Sequence, residues 1–282
     1  MDNRLLVARQ SATAGGLLDL VPGAAAAYSL RSLSKTYTDP VVTVRRSSDN
    51  DEAPFTASEV ADGTLAAFCG AGDGFVKQWW DQSGNANHAS QTTPGYQPKI
   101  VSSGVVILEE GKPAIQFDGS DDSLDANALA STFSGVDKPI SAATLFKCAT
   151  GVSYPTVFSF GNSAVTVQYL ILRSGLGVVE VAVRDNAFSG ILSSGGDALS
   201  QNIAFFFSNM DTVALRVNGI ATDEDSASLG TVTLNVFSIG CFVRTTKSQF
   251  FQGTIQELVI YPANITAQAE LVEGNTAWSY SV

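Results

Sequence analysis

The sequence predicts an all-β body, an antiparallel sandwich or barrel, carrying two or three short helices. Three observations predict it. From about residue 100 onward, short apolar runs recur at near-regular spacing, separated by Gly, Asn, Asp or Ser, the pattern of many short strands joined by turns. No helical period persists among them. Some runs alternate loosely, as in Val213-Ala214-Leu215-Arg216-Val217, which is what a sheet with one buried face produces.

Taken in order, residues 1–22 are weakly patterned and punctuated by Gly15-Gly16 and Val21-Pro22-Gly23. They read as an arm or linker, leaving residues 23–282 as a single domain. Ala24 to Leu33 is rich in helix formers, with Ala26, Leu30 and Leu33 on one stripe, and predicts a short helix. Val41 to Arg46 is β-branched and alternating, hence a strand. Asp62 to Gly70 predicts a second helix, with Asp62 placed to cap its start and Gly70 to end it. Phe75 to Trp80 is a strand. Beyond residue 100 the strand-like runs are Val105–Leu108, Ala114–Phe117, Ala142–Phe146, Thr156–Phe160, Val165–Leu172, Val178–Val183, Ile203–Phe207, Val213–Val217, Val232–Ile239 and Ile255–Tyr261. Asn218-Gly219 is a tight hairpin signal, and Ala267 to Ala277 predicts a closing helix.

Composition narrows the function. The 282 residues are 45% hydrophobic and 15% charged, with net charge −11. That composition excludes disorder, and the negative balance argues against nucleic acid as a partner. No apolar run approaches the ~20 residues of a membrane helix, so no membrane insertion is expected. Cys69, Cys148 and Cys241 are odd in number and widely spaced, which fits buried free thiols better than a metal site. Met1 to Leu6 lacks the pattern of a signal peptide. Together these features predict a chain made in a cytoplasm.

Three segments, Phe117 to Leu124, Leu215 to Gly219 and Phe251 to Tyr261, resemble in their order the laminin G-like, concanavalin A-like antiparallel β-sandwich (jelly roll). A further series runs from Tyr28-Ser29-Leu30-Arg31 through Val44 to Asp49 and Ala67-Phe68-Cys69, ending at Trp80 to His88. It is similar to the N-terminal part of α-L-arabinofuranosidase B catalytic domains. It also resembles laminin G-like modules of tailed-phage and prophage structural proteins, the latter more closely through Gly70 to Val76 and Gln97 to Val101.

The arabinofuranosidase resemblance implies two carboxylates, a Glu on a central strand and an Asp after a late Ile-Gly pair, and a retaining mechanism needs them ~5–5.5 Å apart. Here Ile239-Gly240 is followed by Cys241, and residues 138–179 and 226–256 contain no Asp or Glu. No catalytic residue is carried over, and the chain is expected not to be an enzyme. The expectation is a non-catalytic virion protein, a decoration, fibre or tail-associated component made in the host cytoplasm. It would contact other virion proteins through residues 1–22, with host surface glycans and a second copy of itself as further partners, and no cofactor is expected beyond a calcium ion. The alternatives are a carbohydrate-binding module and an arabinofuranosidase-like hydrolase.

Two constellations are candidate sites. In Trp79, Trp80, Asp81, Asn85 and His88, one indole could stack on a sugar face while the polar groups bond hydroxyls; the competing reading is a rigid loop tied by Asp81 and Ser83. Asp118, Asp121 and Asp122 could converge on calcium, or could be solvated turn residues. Arg45 and Arg46 point to opposite sides of their strand, and one of them should pair with an acidic loop. Of Phe205, Phe206 and Phe207, at least one ring must leave the main core, towards the first segment or another subunit.

Overall fold

A computed structural model describes residues 15–136, 138–149, 154–175, 177–185, 189–193, 199–208, 212–225 and 231–280. Two antiparallel sheets enclose the core. In the first, strand Gln252–Tyr261 is central. One edge pairs with Ile140–Cys148, which continues through Asn202–Ser208 and Val213–Val217 to Ile220–Asp225. The other edge is shared by Ile115–Asp118 and Ala26–Ser29. In the second, the order is Ala89–Ser90, Leu124–Asp125, Val236–Ile239, Thr156–Gly161, Tyr169–Gly175, Val178–Arg184, Ser189–Ser193. A third group, Glu52–Phe55, Val42–Arg46, Gly74–Trp79 and Lys99–Ser102, bridges the two through Gln116 opposite Lys99 and Gln78 opposite Ser90. This is the all-β sandwich that the strand pattern predicts.

The core is aromatic. Phe158 stacks on Phe206 at 5.9 Å, and Phe160 meets Phe237 at 4.6 Å and Phe133 at 5.0 Å. Such pairs add roughly 0.5–1.5 kcal/mol each beyond the area they bury. Phe205 and Phe207 leave this core, as alternation requires, and pack in a second cluster with Leu17, Leu33 and Val272. The first segment is thus what covers them. Residues 15–22 are not a detached arm: helix Leu17–Leu20 buries Leu17, and the Leu18 N–H donates to the Leu33 carbonyl at 2.8 Å. Residues 1–14 lie outside the described residues.

The helix expected at 24–33 is instead strand Ala26–Ser29, buried along its whole length. Its partner, residues 257–260, lies more than 200 positions away. Helix propensity among alanines is worth tenths of a kcal/mol per residue; ladder bonds and complete burial override it. Helices do form at Thr64–Cys69, where Asp62 Oδ1 accepts the Thr64 N–H at 2.9 Å, and at Ala269–Tyr280. One more, Ala57–Ala61, carries a Thr56/Glu59 capping box. All three cysteines are free and buried. Arg46 pairs with Asp49 at 2.7 Å and with Asp51, while Arg45 lies on the Phe75 ring and donates to Gln97 and Asn50.

Candidate functional site

Strand registers place a polar row on the face of the second sheet turned away from the main core. Trp79 and Ala89 are opposite one another and both point into the core. Their neighbours Gln78 and Ser90, also opposite each other, therefore face outward. From there the row runs Thr43, Gln78, Ser90, Asp125, Ser238, Ser159, each opposite the next. Trp80 shares this face, its indole N–H donating to Thr43 Oγ1 at 2.9 Å, with the His88 ring 4.6 Å from its own.

At the centre of the row is Asp125. Its Oδ1 accepts from Ser238 Oγ at 2.7 Å, and both oxygens accept from Lys247 Nζ at 2.7 Å. Lys247 also reaches Ser123 Oγ at 2.9 Å. It is carried by a hairpin, Phe242–Val243 paired with Lys247–Ser248, that lies against the same face. Ser159 Oγ donates to the Cys241 carbonyl and accepts from the Val243 N–H, both at 2.9 Å. Gly161 permits this approach: a Cβ there would sit 2.1 Å from the Val243 oxygen. Phe242 packs edge-on to Tyr169 at 4.9 Å, under the Arg244 guanidinium.

The turn Ile239-Gly240-Cys241 packs against the backbone of the loop that carries Asp122. Gly240 has φ +88°, and a Cβ there would lie 2.4 Å from the Phe117 ring and 3.1 Å from the Asp122 carbonyl oxygen. The Asp122 side chain accepts the Asp118 N–H at 2.9 Å. Burial, with the Asp118 charge beside it, pushes its carboxyl up from 3.8 to about 7. The two carboxyls differ in their surroundings: Asp125 is paired with an ammonium, whereas burial and the neighbouring Asp118 and Asp121 charges favour the protonated form of Asp122. Cys241 does not substitute for either, because burial pushes its thiol up to about 11.

The structure sorts the residues expected at a sugar site. Trp79 is 0% exposed and packs on Tyr28, so it offers no stacking surface. Asp81 is buried and accepts from the N–H groups of Ala27, Ser83 and Asn87 and from Ser83 Oγ. Four donors saturate it, and none of its capacity is left for a ligand. Asn85 Nδ2 is spent on the Ala24 carbonyl at 2.9 Å. These three hold the loop rigid. Trp80 and His88 remain half-exposed on the polar face, though His88 Nδ1 accepts the Asp81 N–H at 3.0 Å. Asp118, Asp121 and Asp122 do converge, with one oxygen from each within 4.8 Å of the others. Asp118 Oδ1 already accepts from Ser120 N–H at 2.7 Å, and burial favours the protonated form of Asp122, which opposes cation binding.

The family model for the catalytic part of α-L-arabinofuranosidase B matches residues 19–109. An α-L-arabinofuranosidase B of Penicillium canescens is 38% identical over 100 residues, covering 32% of this chain and 22% of that protein. One from Aspergillus oryzae is 30% identical over 182 residues, covering 57% of this chain and 35% of its own length. The chain thus spans about a third or less of these relatives. Among solved structures, an arabinofuranosidase complexed with arabinofuranosyl-α-1,2-xylobiose superimposes with TM-score 0.61 at 19% identity, over 89% of this chain and 63% of that one. A GH54 α-L-arabinofuranosidase soaked with a cyclic sulfate inhibitor gives 0.59 over the same shares. The fold is shared. These matches overturn the expectation of a non-catalytic virion protein and of a location in a phage particle. The relatives that resemble the chain in sequence are fungal glycoside hydrolases, and the expectation that the chain is not an enzyme falls with it.

Proposed function

We propose that the chain is an arabinofuranosidase-type glycoside hydrolase domain acting through the face that carries Asp125. The observation that supports this reading most directly is the match of residues 19–109 to the catalytic part of that family, borne on a sandwich of the same shape. Pairing of Leu124 with Ile239 and of Asp125 with Ser238 puts the Asp125 carboxylate beside the late Ile-Gly pair, where the resemblance calls for one, and Asp122 precedes it by three residues on the same segment. Asp122 would give its proton to the leaving glycosidic oxygen as the C–O bond breaks. Asp125 would stabilise or attack the anomeric carbon, or activate water for that attack. Trp80 would supply an apolar surface for a sugar ring, and Gln78 and Ser90 hydroxyl partners. Lys247 holds Asp125 from the hairpin side, so substrate entry requires the ammonium to share or yield that contact.

The test is turnover of 4-nitrophenyl α-L-arabinofuranoside by the purified chain, with Asp122→Asn and Asp125→Asn alongside. Loss of a general acid or of the nucleophile should lower kcat by at least ~100-fold in each. Saccharide binding with no turnover by the parent chain would remove hydrolysis from the proposal.

A further inference from the structure

Two cavities lie side by side at a surface that shares no lining residue with the polar row. One, of about 300 Å³, is bordered by Pro22, Thr36 and Ser83 among others. Its neighbour, of about 240 Å³, is bordered by Ser32, Thr56 and Ser58. Tyr37, Thr38 and Asp39 line both, so these three residues form a ridge with a hollow on either side.

The chemistry of the lining selects a ligand class. Hydroxyl groups dominate, one carboxylate is present, and none of the lining side chains is Lys, Arg or His. An anion would find no counter-charge and would meet Asp39 on a chain of net charge −11. A fully apolar ligand would strip water from the hydroxyls without replacing its bonds. A neutral polyhydroxylated ligand answers both constraints. Each volume is at or below the lower end for a ligand pocket, room for one small ring.

The walls are held in place beforehand. The Tyr37 hydroxyl donates to the Pro40 carbonyl at 2.7 Å and its ring packs against the main core, which fixes this side chain in the lining of both hollows. Asp19 accepts from Ser34 Oγ, Lys35 N–H and Gly16 N–H at 2.6–2.9 Å. Ser83 donates to Asp81 at 2.8 Å. Little ordering is left to occur on binding.

We propose that the Tyr37–Thr38–Asp39 ridge is a second saccharide site, seating successive sugars of a neutral oligosaccharide in the two hollows. It does not depend on hydrolysis at Asp125. The experiment is a ¹H–¹⁵N titration of the full chain with arabinotriose and, separately, xylotriose. Parent, Asp39→Ala and Thr38→Trp are compared, with arabinose as the single-ring control. Saturable shifts at the amides of Thr36, Thr38, Asp39 and Ser58 are expected with at least one trisaccharide, and weaker binding of arabinose. Asp39→Ala should weaken binding about tenfold. Thr38→Trp, at an exposed position, should abolish it without altering the rest of the spectrum. Shifts confined to the Trp80 and Asp125 face, equal affinity in all three proteins, or no saturation with either trisaccharide would overturn the site. Absence of arabinofuranoside turnover would leave these readouts unchanged.

Discussion

Asp122→Asn should stabilise the fold above pH 4 while removing the hydrolysis proposed above. Asp122 is 7% exposed, and its carboxyl is pushed up from 3.8 to about 7 by burial and by Asp118. Between those two values the unfolded chain ionises this group while the folded chain keeps it protonated. Folding stability is therefore lost as pH rises from about 4 to 7, and the loss stops above 7, where both states are ionised. Three units at 1.36 kcal/mol each would give ~4 kcal/mol. Asp118 and Asp121 are at least partly solvent-exposed, and screening by water and salt reduces the expected amount to about 1–2 kcal/mol. Asparagine is near-isosteric, still accepts the Asp118 N–H, and does not ionise. Urea unfolding of parent and variant at several pH values between 4 and 8.5 measures the difference. The variant should gain about 1–2 kcal/mol over the parent on going from pH 4 to 8. A difference that does not change with pH would show that Asp122 is not held protonated by its surroundings, and would remove it as a general acid.

Three further outcomes follow from the geometry. Trp79→Ala should cost about 3–5 kcal/mol in denaturant unfolding because a fully buried indole is removed, whereas Trp80→Ala should leave the midpoint nearly unchanged and raise KM for an aryl arabinofuranoside. Gly240→Ala combines a positive φ with a clash against Phe117; a loss of about 2 kcal/mol or more is expected in the same assay. Lys247→Met removes the cation on Asp125 from a partly exposed pair, so stability should change by less than about 1 kcal/mol while kcat falls several-fold.

What could be read in the chain was local. Asn218-Gly219 takes φ of +52° and +79°, as a two-residue hairpin of its kind requires. The Trp79/Trp80 pair splits between core and surface because a strand alternates, and Phe205 to Phe207 divide between two clusters for the same reason. What could not be read was which distant segments meet. The stretches 138–179 and 226–256, where the arabinofuranosidase resemblance points for the carboxylates, contain none. Asp125 reaches that region only because Leu124–Asp125 pairs with Ile239 and Ser238, more than a hundred residues on. Ala26–Ser29 misled for the same reason, since its alanines are helix formers until Gln252–Tyr261 offers them a ladder. The acidic run from Asp118 to Asp125 looked like solvated turn charge when taken alone. Its last member becomes a candidate catalytic group only when a lysine from beyond residue 240 is folded over it. The function proposed for this face therefore rests on long-range strand pairing, and substitutions that weaken the Leu124–Asp125 ladder should disable it as surely as a change to Asp125 itself.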